Sequence, residues 1–267
     1  MWLNNPLSST LQLQFAIQHK FATYRADSLD LELFSSQAFG QLALVHYKDR
    51  PRHARELLIE RFASANGEML AYIPYCVHTA PKRALLCGTL NGEIAYLLAS
   101  QGLTVDLVLP HREAFETLSG FLPHYRELTS SPAIGLHDKF LGLEAGYDLV
   151  INLACLGQVE FQALAKLASK ESILIFRLSN PYLEPSLALE ELALAREFFN
   201  VLMPFVVSSL QTEFYVFASK RFHPLADLIL QRSEMLEGLE FYNANLHTSV
   251  FRFPRLIQNL LAPLVKN

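Results

Sequence analysis

The stretch Ala84-Leu85-Leu86-Cys87-Gly88-Thr89-Leu90-Asn91-Gly92-Glu93 decides the fold, because an apolar run ends there in a turn that contains two glycines. A short apolar run bounded by turn signals is typical of a buried strand in a parallel sheet. We predict a strand over 84–88 and a helix over 93–100. The two glycines permit a tight strand-to-helix turn and close approach of a ligand to the helix N-terminus. The same spacing also occurs in many α/β proteins that bind no cofactor.

Downstream of this stretch, apolar strands continue to alternate with helical segments. That alternation predicts an α/β fold with a parallel sheet and helices on both faces. Further strands are predicted over 105–109, 134–137, 149–153, 172–177, 201–207 and 213–218, and further helices over 112–118, 158–169 and 185–199. Pro185 stands at the start of the last helix, where a missing N–H costs nothing.

Upstream, the apolar residues alternate at period two. This pattern occurs over 11–17, 29–33 and 40–45, and it predicts a small antiparallel β module. Residues 55–61 are either a fourth strand or a short helix, because a brief apolar run cannot be assigned by its period alone. A helix over 67–76 would then lead into the parallel sheet.

Composition excludes several classes of protein. Hydrophobic residues make up 51% of the 267 residues and charged residues 18%, which indicates a compact chain with a core that needs no disulfide or metal. Three separated cysteines fit neither a zinc site nor a disulfide framework. The net charge of −4 without a basic patch argues against nucleic-acid binding. The cluster Lys48–His53 is interpreted as a solvated turn between strands. No apolar run reaches membrane-spanning length, and the first residues have neither the basic region nor the apolar region of a secretory signal, so we expect a cytoplasmic protein without membrane contact.

A ligand site in such a sheet lies beyond the carboxyl ends of the strands, where the strand order reverses. Asp138 follows the third strand of the sheet, where its carboxylate could accept from an adenine amino group or cap a helix. At the second strand, Asp106 lies too early to reach ribose hydroxyls, so that anchor is missing or replaced by His111. The fourth strand, over 149–153, ends without a carboxylate.

Near the end of the chain, 241–254 combine aromatic, amide, imidazole and proline residues in a short irregular span. Tyr242, Asn243 and His247 are spaced as a turn that runs into a helix, which suggests a lid or pocket wall. His247 is either a ligand contact or a structural histidine. Three further candidates are the carboxylates Glu68, Glu184 and Glu213, each of which could equally be a solvated surface group.

Together these blocks resemble the spermidine synthase family, the polyamine aminopropyltransferases. The resemblance runs in order from Asp30-Leu31-Glu32-Leu33-Phe34 to Pro254. Its most specific parts are Tyr242-Asn243 with His247, Phe251 and Pro254; Ala218-Ser219-Lys220-Arg221-Phe222-His223-Pro224-Leu225; Met203-Pro204-Phe205; Ser179-Asn180-Pro181-Tyr182; and Glu68-Met69-Leu70-Ala71.

This resemblance implies an N-terminal β domain over 1–62 and a methyltransferase-like Rossmann domain over 63–267, assembled as a homodimer or homotetramer. It implies no permanently bound cofactor and no metal. Decarboxylated S-adenosylmethionine would be the co-substrate, and its aminopropyl group would pass to a diamine such as putrescine.

Carried over onto this chain, the family pattern assigns Gly88 and Gly92 to the glycine-rich turn. It assigns Asp138 to the adenine side and Glu68 to the glutamate that helps to bind the sulfonium substrate. Other positions depart from the pattern. The ribose glutamate falls on Leu109, the catalytic aspartate on Leu153, a second aspartate on Leu156, and the tryptophan of the last strand on Glu213.

Because the usual acidic residues are absent, an active enzyme would need carboxylates from elsewhere. We predict Glu213 and Glu184 as the catalytic groups, and Tyr242, Tyr182 and His247 as contacts of the amine substrate. Two alternatives stay open. The chain could be a catalytically inactive relative that binds polyamines or a partner, or a methyltransferase that uses intact S-adenosylmethionine.

Overall fold

The computed structural model describes residues 1–8, 11–48, 55–154 and 158–266. Its N-terminal part is antiparallel β structure, as predicted, and it forms two sheets. The first pairs β1 (Trp2–Pro6) with β2 (Gln12–Ala16), and the second contains β3 (His19–Arg25), β4 (Leu29–Ser36), β5 (Gly40–Tyr47) and β6 (Arg55–Ile59) in that order. The ambiguous segment is therefore a strand, and a 3-10 turn at Glu60–Phe62 follows it.

A long helix then leads into a larger sheet, and α/β alternation follows. The elements are α1 (Ala63–Val77), β7 (Arg83–Cys87), α2 (Glu93–Ser100), β8 (Thr104–Val108), α3 (Arg112–Thr117), α4 (Tyr125–Ser130), β9 (Ile134–His137), β10 (Tyr147–Asn152), α5 (Gln158–Leu167), β11 (Ala168–Leu178), α6 (Pro185–Arg196), β12 (Val201–Ser208), β13 (Thr212–Ser219), α7 (Leu230–Glu234), α8 (Ala244–Ser249) and α9 (Arg255–Leu261). None of the helices within the described residues is long and apolar enough to cross a membrane.

Within the described residues the large sheet has seven strands in the order β12-β13-β11-β10-β7-β8-β9. Strands β7 to β11 are parallel to their neighbours in this group, which confirms the α/β prediction. Strand β13 runs antiparallel to β11 and to β12, so the sheet is mixed. The reason is the short connection 209–211, which can only close a hairpin. Strand order reverses between β7 and β10, and that is where a crevice is expected.

The apolar run of β7 is explained by burial on both faces. Ala84 and Leu86 belong to the core cluster that contains Met69 of α1. Leu85 belongs to a second cluster on the opposite face, with Phe161 of α5. Successive side chains of a strand point to opposite faces, so a strand covered on both sides is apolar throughout.

The N-terminal sheets have a smaller core of their own, which includes Leu3, Phe15 and Phe34. The division of the chain at residue 62 stays a prediction. Most of the predicted turn Lys48–His53 lies outside the described residues, as do Cys155 and Leu156.

Candidate active site

The turn after β7 closes tightly against the end of β10. Gly88 has a φ of +81°, and a Cβ at this position would lie 2.2 Å from the backbone N of Ala154 and 2.9 Å from Asn152 Oδ1. Only glycine tolerates both the left-handed backbone and this approach. The residue therefore joins the two strands between which the sheet order reverses.

Gly92 is required for a different reason. A Cβ there would lie 2.6 Å from Leu128 Cδ1 and 3.0 Å from the ring of Phe115, although the φ of −67° is ordinary. The missing side chain lets α2 begin against α3 and α4. Contact of either glycine with a bound substrate stays a prediction.

A cavity of about 20 Å³ lies beside this turn, between the ends of the central strands and the N-terminal sheet. Its walls include Tyr47, Glu56, Leu57, Leu58, Asn66, Leu70, Gly88, Asn91, Leu153, Arg177, Glu213 and Tyr215. A space of this size holds about one water molecule. Of the predicted site residues, the described lining includes Gly88 and Glu213.

Glu213 is held by an ion pair and an amide. The Arg177 Nη2 atom lies 3.3 Å from Glu213 Oε1, and the Asn66 side-chain amide donates to Glu213 Oε2. Arg177 Nη1 also donates to the carbonyl of Arg55 at 3.3 Å. Leu153, where the resemblance places the catalytic aspartate, is buried in the wall of the same cavity. The carboxylate predicted to be catalytic thus faces the cavity already paired with a guanidinium.

A second carboxylate in the cavity comes from the N-terminal sheet. Glu56 on β6 accepts hydrogen bonds from the Tyr47 hydroxyl at 2.8 Å and from the Thr89 hydroxyl, and the amide of Leu90 donates to it at 3.4 Å. Glu56 therefore ties β6 to the turn after β7. Glu56 was not predicted from the sequence, because a single glutamate within a strand belongs to no recognisable motif.

Arg177 was also missed, although the sequence contained a signal for it. It stands at the end of the predicted strand 172–177, and side chains at the carboxyl ends of parallel strands are the ones that reach a ligand crevice.

Glu68 lies in α1 and fixes the C-terminal segment. Its carboxylate accepts the backbone N–H groups of Glu240 and Phe241 at 2.9 Å and of Tyr242 at 2.7 Å. The side chain is buried, with 3% exposure. The partners of Glu68 in the structure are thus three amides of its own chain. Contact of Glu68 with a sulfonium substrate stays a prediction.

Tyr242 and His247 form a buried pair. The Tyr242 hydroxyl donates to His247 Nδ1 at 2.8 Å, and His247 Nε2 donates to the Pro224 carbonyl at 3.0 Å, which fixes the neutral ring with its proton on Nε2. Burial lowers the pKa of His247 to about 4 and raises the pKa of the Tyr242 hydroxyl. The predicted turn into a helix is confirmed, because Asn243 Oδ1 caps α8 by accepting from Leu246 N at 2.8 Å.

The other predicted site residues lie outside the described lining of the cavity. Asp138 is exposed and pairs with Arg112 Nε at 3.6 Å. Tyr182 is half-exposed, with its ring centroid 6.0 Å from that of Phe214. Glu184 is partly buried at the start of α6. Their roles in catalysis or binding stay predictions.

At the end of β8, the residues at the positions expected to hold ribose make contacts within the protein. Leu109 is buried, and the His111 Nε2 atom lies 3.1 Å from the Ser28 hydroxyl of the N-terminal part. Asp106 accepts from Tyr147 of β10 at 2.6 Å and lies 2.7 Å from His137 of the neighbouring strand β9, so its carboxylate contacts other strands of the sheet.

No protein-family model matches the chain. Over its whole length it is 27% identical to the full polyamine aminopropyltransferase of Helicobacter acinonychis and 26% identical to that of Helicobacter pylori strain G27. It is 22% identical to the corresponding protein of Streptococcus pneumoniae, over 98% of this chain and 97% of that one.

Two solved structures share the fold. The spermidine synthase of Thermotoga maritima superposes with a TM-score of 0.85 at 14% identity, and a spermidine synthase in complex with the transition state analogue AdoDATO superposes with 0.86 at 15%. Each comparison covers 98% of this chain and 94% of the other.

Proposed function

Because the chain belongs to the polyamine aminopropyltransferase family, we propose that it transfers the aminopropyl group of decarboxylated S-adenosylmethionine to putrescine, as a homo-oligomer in the cytoplasm. One observation carries the proposal: the carboxylates of Glu213 and Glu56 line a cavity at the switch point of the sheet, where ligands of open α/β sheets bind.

The chemistry requires a carboxylate at this place. In the transfer, the lone pair of a neutral amine attacks the methylene carbon next to the sulfonium. An N–C bond forms, a C–S bond breaks with its electron pair going to sulfur, and the new ammonium then loses a proton. Amines are mostly protonated near neutral pH, so a carboxylate must hold the ammonium and take its proton. We assign this role to Glu213, which lines the cavity.

The adenosyl group would lie near Gly88 and extend toward Asp138, at the ends of β7 and β9. A cavity of about 20 Å³ is far below the ~300 Å³ or more of a typical ligand pocket. Binding therefore requires side chains of the lining to move. An amine that reaches Glu213 must also displace the Arg177 guanidinium, which lies 3.3 Å from it.

The direct test supplies both substrates to the purified protein and follows spermidine by chromatography. We expect product, and we expect Glu213→Gln to lower kcat by roughly 100-fold, the usual contribution of a proton-transfer group. Glu190→Gln, on the exposed side of α6, is the matched control and should leave the rate unchanged. No spermidine over a broad pH range would exclude the reaction. Unchanged turnover in Glu213→Gln would remove that residue from the mechanism.

A second candidate is a catalytically inactive relative that binds polyamines or a partner protein. It is favoured by Leu153 and by the Arg177–Glu213 pair, because an apolar residue and a guanidinium fill the space that an amine would need. Calorimetry with putrescine would then show binding without turnover, or a stable complex with another protein and no binding of either substrate.

A further inference from the structure

The described lining of the candidate cavity contains more negative than positive charge. Two carboxylates belong to it, Glu213 on β13 and Glu56 on β6, against one guanidinium, that of Arg177 on β11. The other titratable side chains of this lining, Tyr47 and Tyr215, are neutral. The Tyr47 hydroxyl donates to Glu56 at 2.8 Å, whereas burial and then the charge of Glu213 raise the pKa of Tyr215 well above its usual value. The described lining therefore has a formal charge of −1.

This formal charge matches a diamine in which one end has given up its extra proton. Near neutral pH both ends of a diamine are ammonium groups, because an alkylammonium has a pKa of about 10. The form that attacks the donor has one ammonium and one neutral amine, and so carries one positive charge. The described lining compensates that charge, whereas the doubly charged form would leave one positive charge uncompensated in a partly buried site, which is unfavourable. We therefore expect binding to favour the reactive form.

Arg177 stays close to any amine that docks on Glu213. Its Nη2 atom lies 3.3 Å from Glu213 Oε1, and its Nη1 atom donates to the Arg55 carbonyl at 3.3 Å. The second bond holds the guanidinium in the cavity wall when an amine takes its place on the carboxylate. The side chains of Arg177 and Glu213 are 33% and 18% exposed, so water screens the repulsion between guanidinium and ammonium only in part. A like charge at such a distance lowers the pKa of an ammonium.

We propose that Arg177 makes the attacking end of a diamine lose its proton when that end docks on Glu213. An N–H bond of the ammonium breaks, the proton leaves through the Glu213 carboxylate to solvent, and the nitrogen keeps the lone pair with which it attacks carbon. Arg177 takes no proton itself, because the guanidinium of arginine is always charged in proteins. The negative charge of Glu56 then balances the ammonium at the other end. The inference deepens the proposed function and rests on it in taking a diamine as the ligand.

The experiment counts the protons that putrescine releases on binding, and it needs no turnover. Putrescine is titrated calorimetrically into protein saturated with methylthioadenosine, the thioether that remains of the donor after transfer. Binding enthalpies measured in buffers of different ionisation enthalpy give the number of protons released. We expect the unmodified protein to release protons to the buffer between about pH 7 and 9, where free alkylammonium groups, with a pKa of about 10, keep them.

Two variants change the charge of the lining in opposite directions. Arg177→Gln removes the positive charge, so the pH at which putrescine releases roughly half a proton should rise by about one unit, the effect of a like charge at about 5 Å in a partly exposed site. Glu56→Gln removes a negative charge, so the same pH should fall. Arg177→Lys keeps the charge and should retain the release. Arg221→Gln is the matched control, because it removes a guanidinium from an exposed pair with Glu171 outside the described lining.

Putrescine binding without proton release would overturn the inference, as would an equal release by Arg177→Gln and the unmodified protein. Shifts of Arg177→Gln and Glu56→Gln in the same direction would also overturn it, because a general distortion of the cavity does not produce shifts of opposite sign. If putrescine does not bind, the inference and the proposed function both fail. Proton release with no spermidine, once the donor replaces methylthioadenosine, would contradict the proposed function alone.

Discussion

The folding stability of the protein should decrease in acid because His247 is buried in a pair with Tyr242. The imidazole is fully buried, its Nδ1 accepts from the Tyr242 hydroxyl, and its Nε2 donates to the Pro224 carbonyl. No surface is left through which water could solvate an imidazolium. Protonation of Nδ1 would also turn the acceptor of the tyrosine proton into a donor. Burial accordingly lowers the pKa of His247 from 6.5 to about 4.

The sign and the size of the effect follow from this pKa. In the unfolded chain the imidazole takes up a proton near pH 6.5, whereas in the folded protein it does so near pH 4. Above pH 6.5 both states are neutral and this histidine adds no pH dependence. As the pH falls from 6.5 to about 4, only the unfolded state is protonated, so folding stability decreases. The pKa difference corresponds to about 3 kcal/mol, at about 1.4 kcal/mol for each pKa unit.

The assay is urea unfolding followed by circular dichroism at several pH values across this window. In His247→Gln the side chain keeps a donor and an acceptor but does not titrate. Between pH 6.5 and 4, the free energy of unfolding of this variant should therefore fall by about 3 kcal/mol less than that of the unmodified protein. His78, whose pKa burial also lowers, is present in both proteins and cancels. The exposed residue His19 supplies the control variant His19→Gln, which should retain the full dependence. If the free energy of unfolding of His247→Gln and that of the unmodified protein depend equally on pH, His247 is not the source of the acid dependence.

Two further variants test the anchoring of the site. Glu68→Gln should lower the free energy of unfolding by about 3 kcal/mol in a urea titration, because a neutral amide cannot accept all three backbone N–H groups as a carboxylate does. The exposed Glu237→Gln in the same segment is its control, and an equal effect of both would refute the role of Glu68. Gly88→Ala should destabilise by about 2 kcal/mol more than Gly102→Ala, since both have a positive φ but only Gly88 has backbone within 2.2 Å of the added Cβ. Equal thermal shifts would show that the close approach does not matter.

The parallel part of the fold was readable from the sequence because its strands are buried on both faces. Strand β9 and helix α2 have the predicted bounds, and β7 is shifted by one residue. Strand β3 was missed because most of its residues are exposed, so no alternation of apolar residues marks it. The short helices α4 and α7 were missed for a related reason. Each has one buried residue, so tertiary contacts rather than an apolar period hold it in place.

Candidate site residues were harder to predict because proximity across a sheet is not a property of local sequence. Glu68, Tyr242 and His247 belong to the blocks that most resemble the family, yet each is engaged with groups of its own chain. A motif can be specific to a family because it holds a segment in position, and sequence alone does not separate that role from contact with a substrate. Glu56 and Arg177 both line the cavity, although their strands, β6 and β11, are far apart in the chain.

The charge of the cavity depends on which strands are neighbours. The resemblance places an aspartate at Leu153 and a tryptophan at Glu213, and both positions line one cavity. The end of β10 thus has an apolar side chain where the family has a carboxylate, while β13 has a carboxylate where the family has an aromatic ring. Strand β11, which carries Arg177, lies between these two strands. A guanidinium at that position is within reach of the carboxylate on β13, with 3.3 Å between Arg177 Nη2 and Glu213 Oε1. The departures at Leu153 and Glu213 therefore meet in one cavity, and they place its carboxylate on β13 instead of at the end of β10.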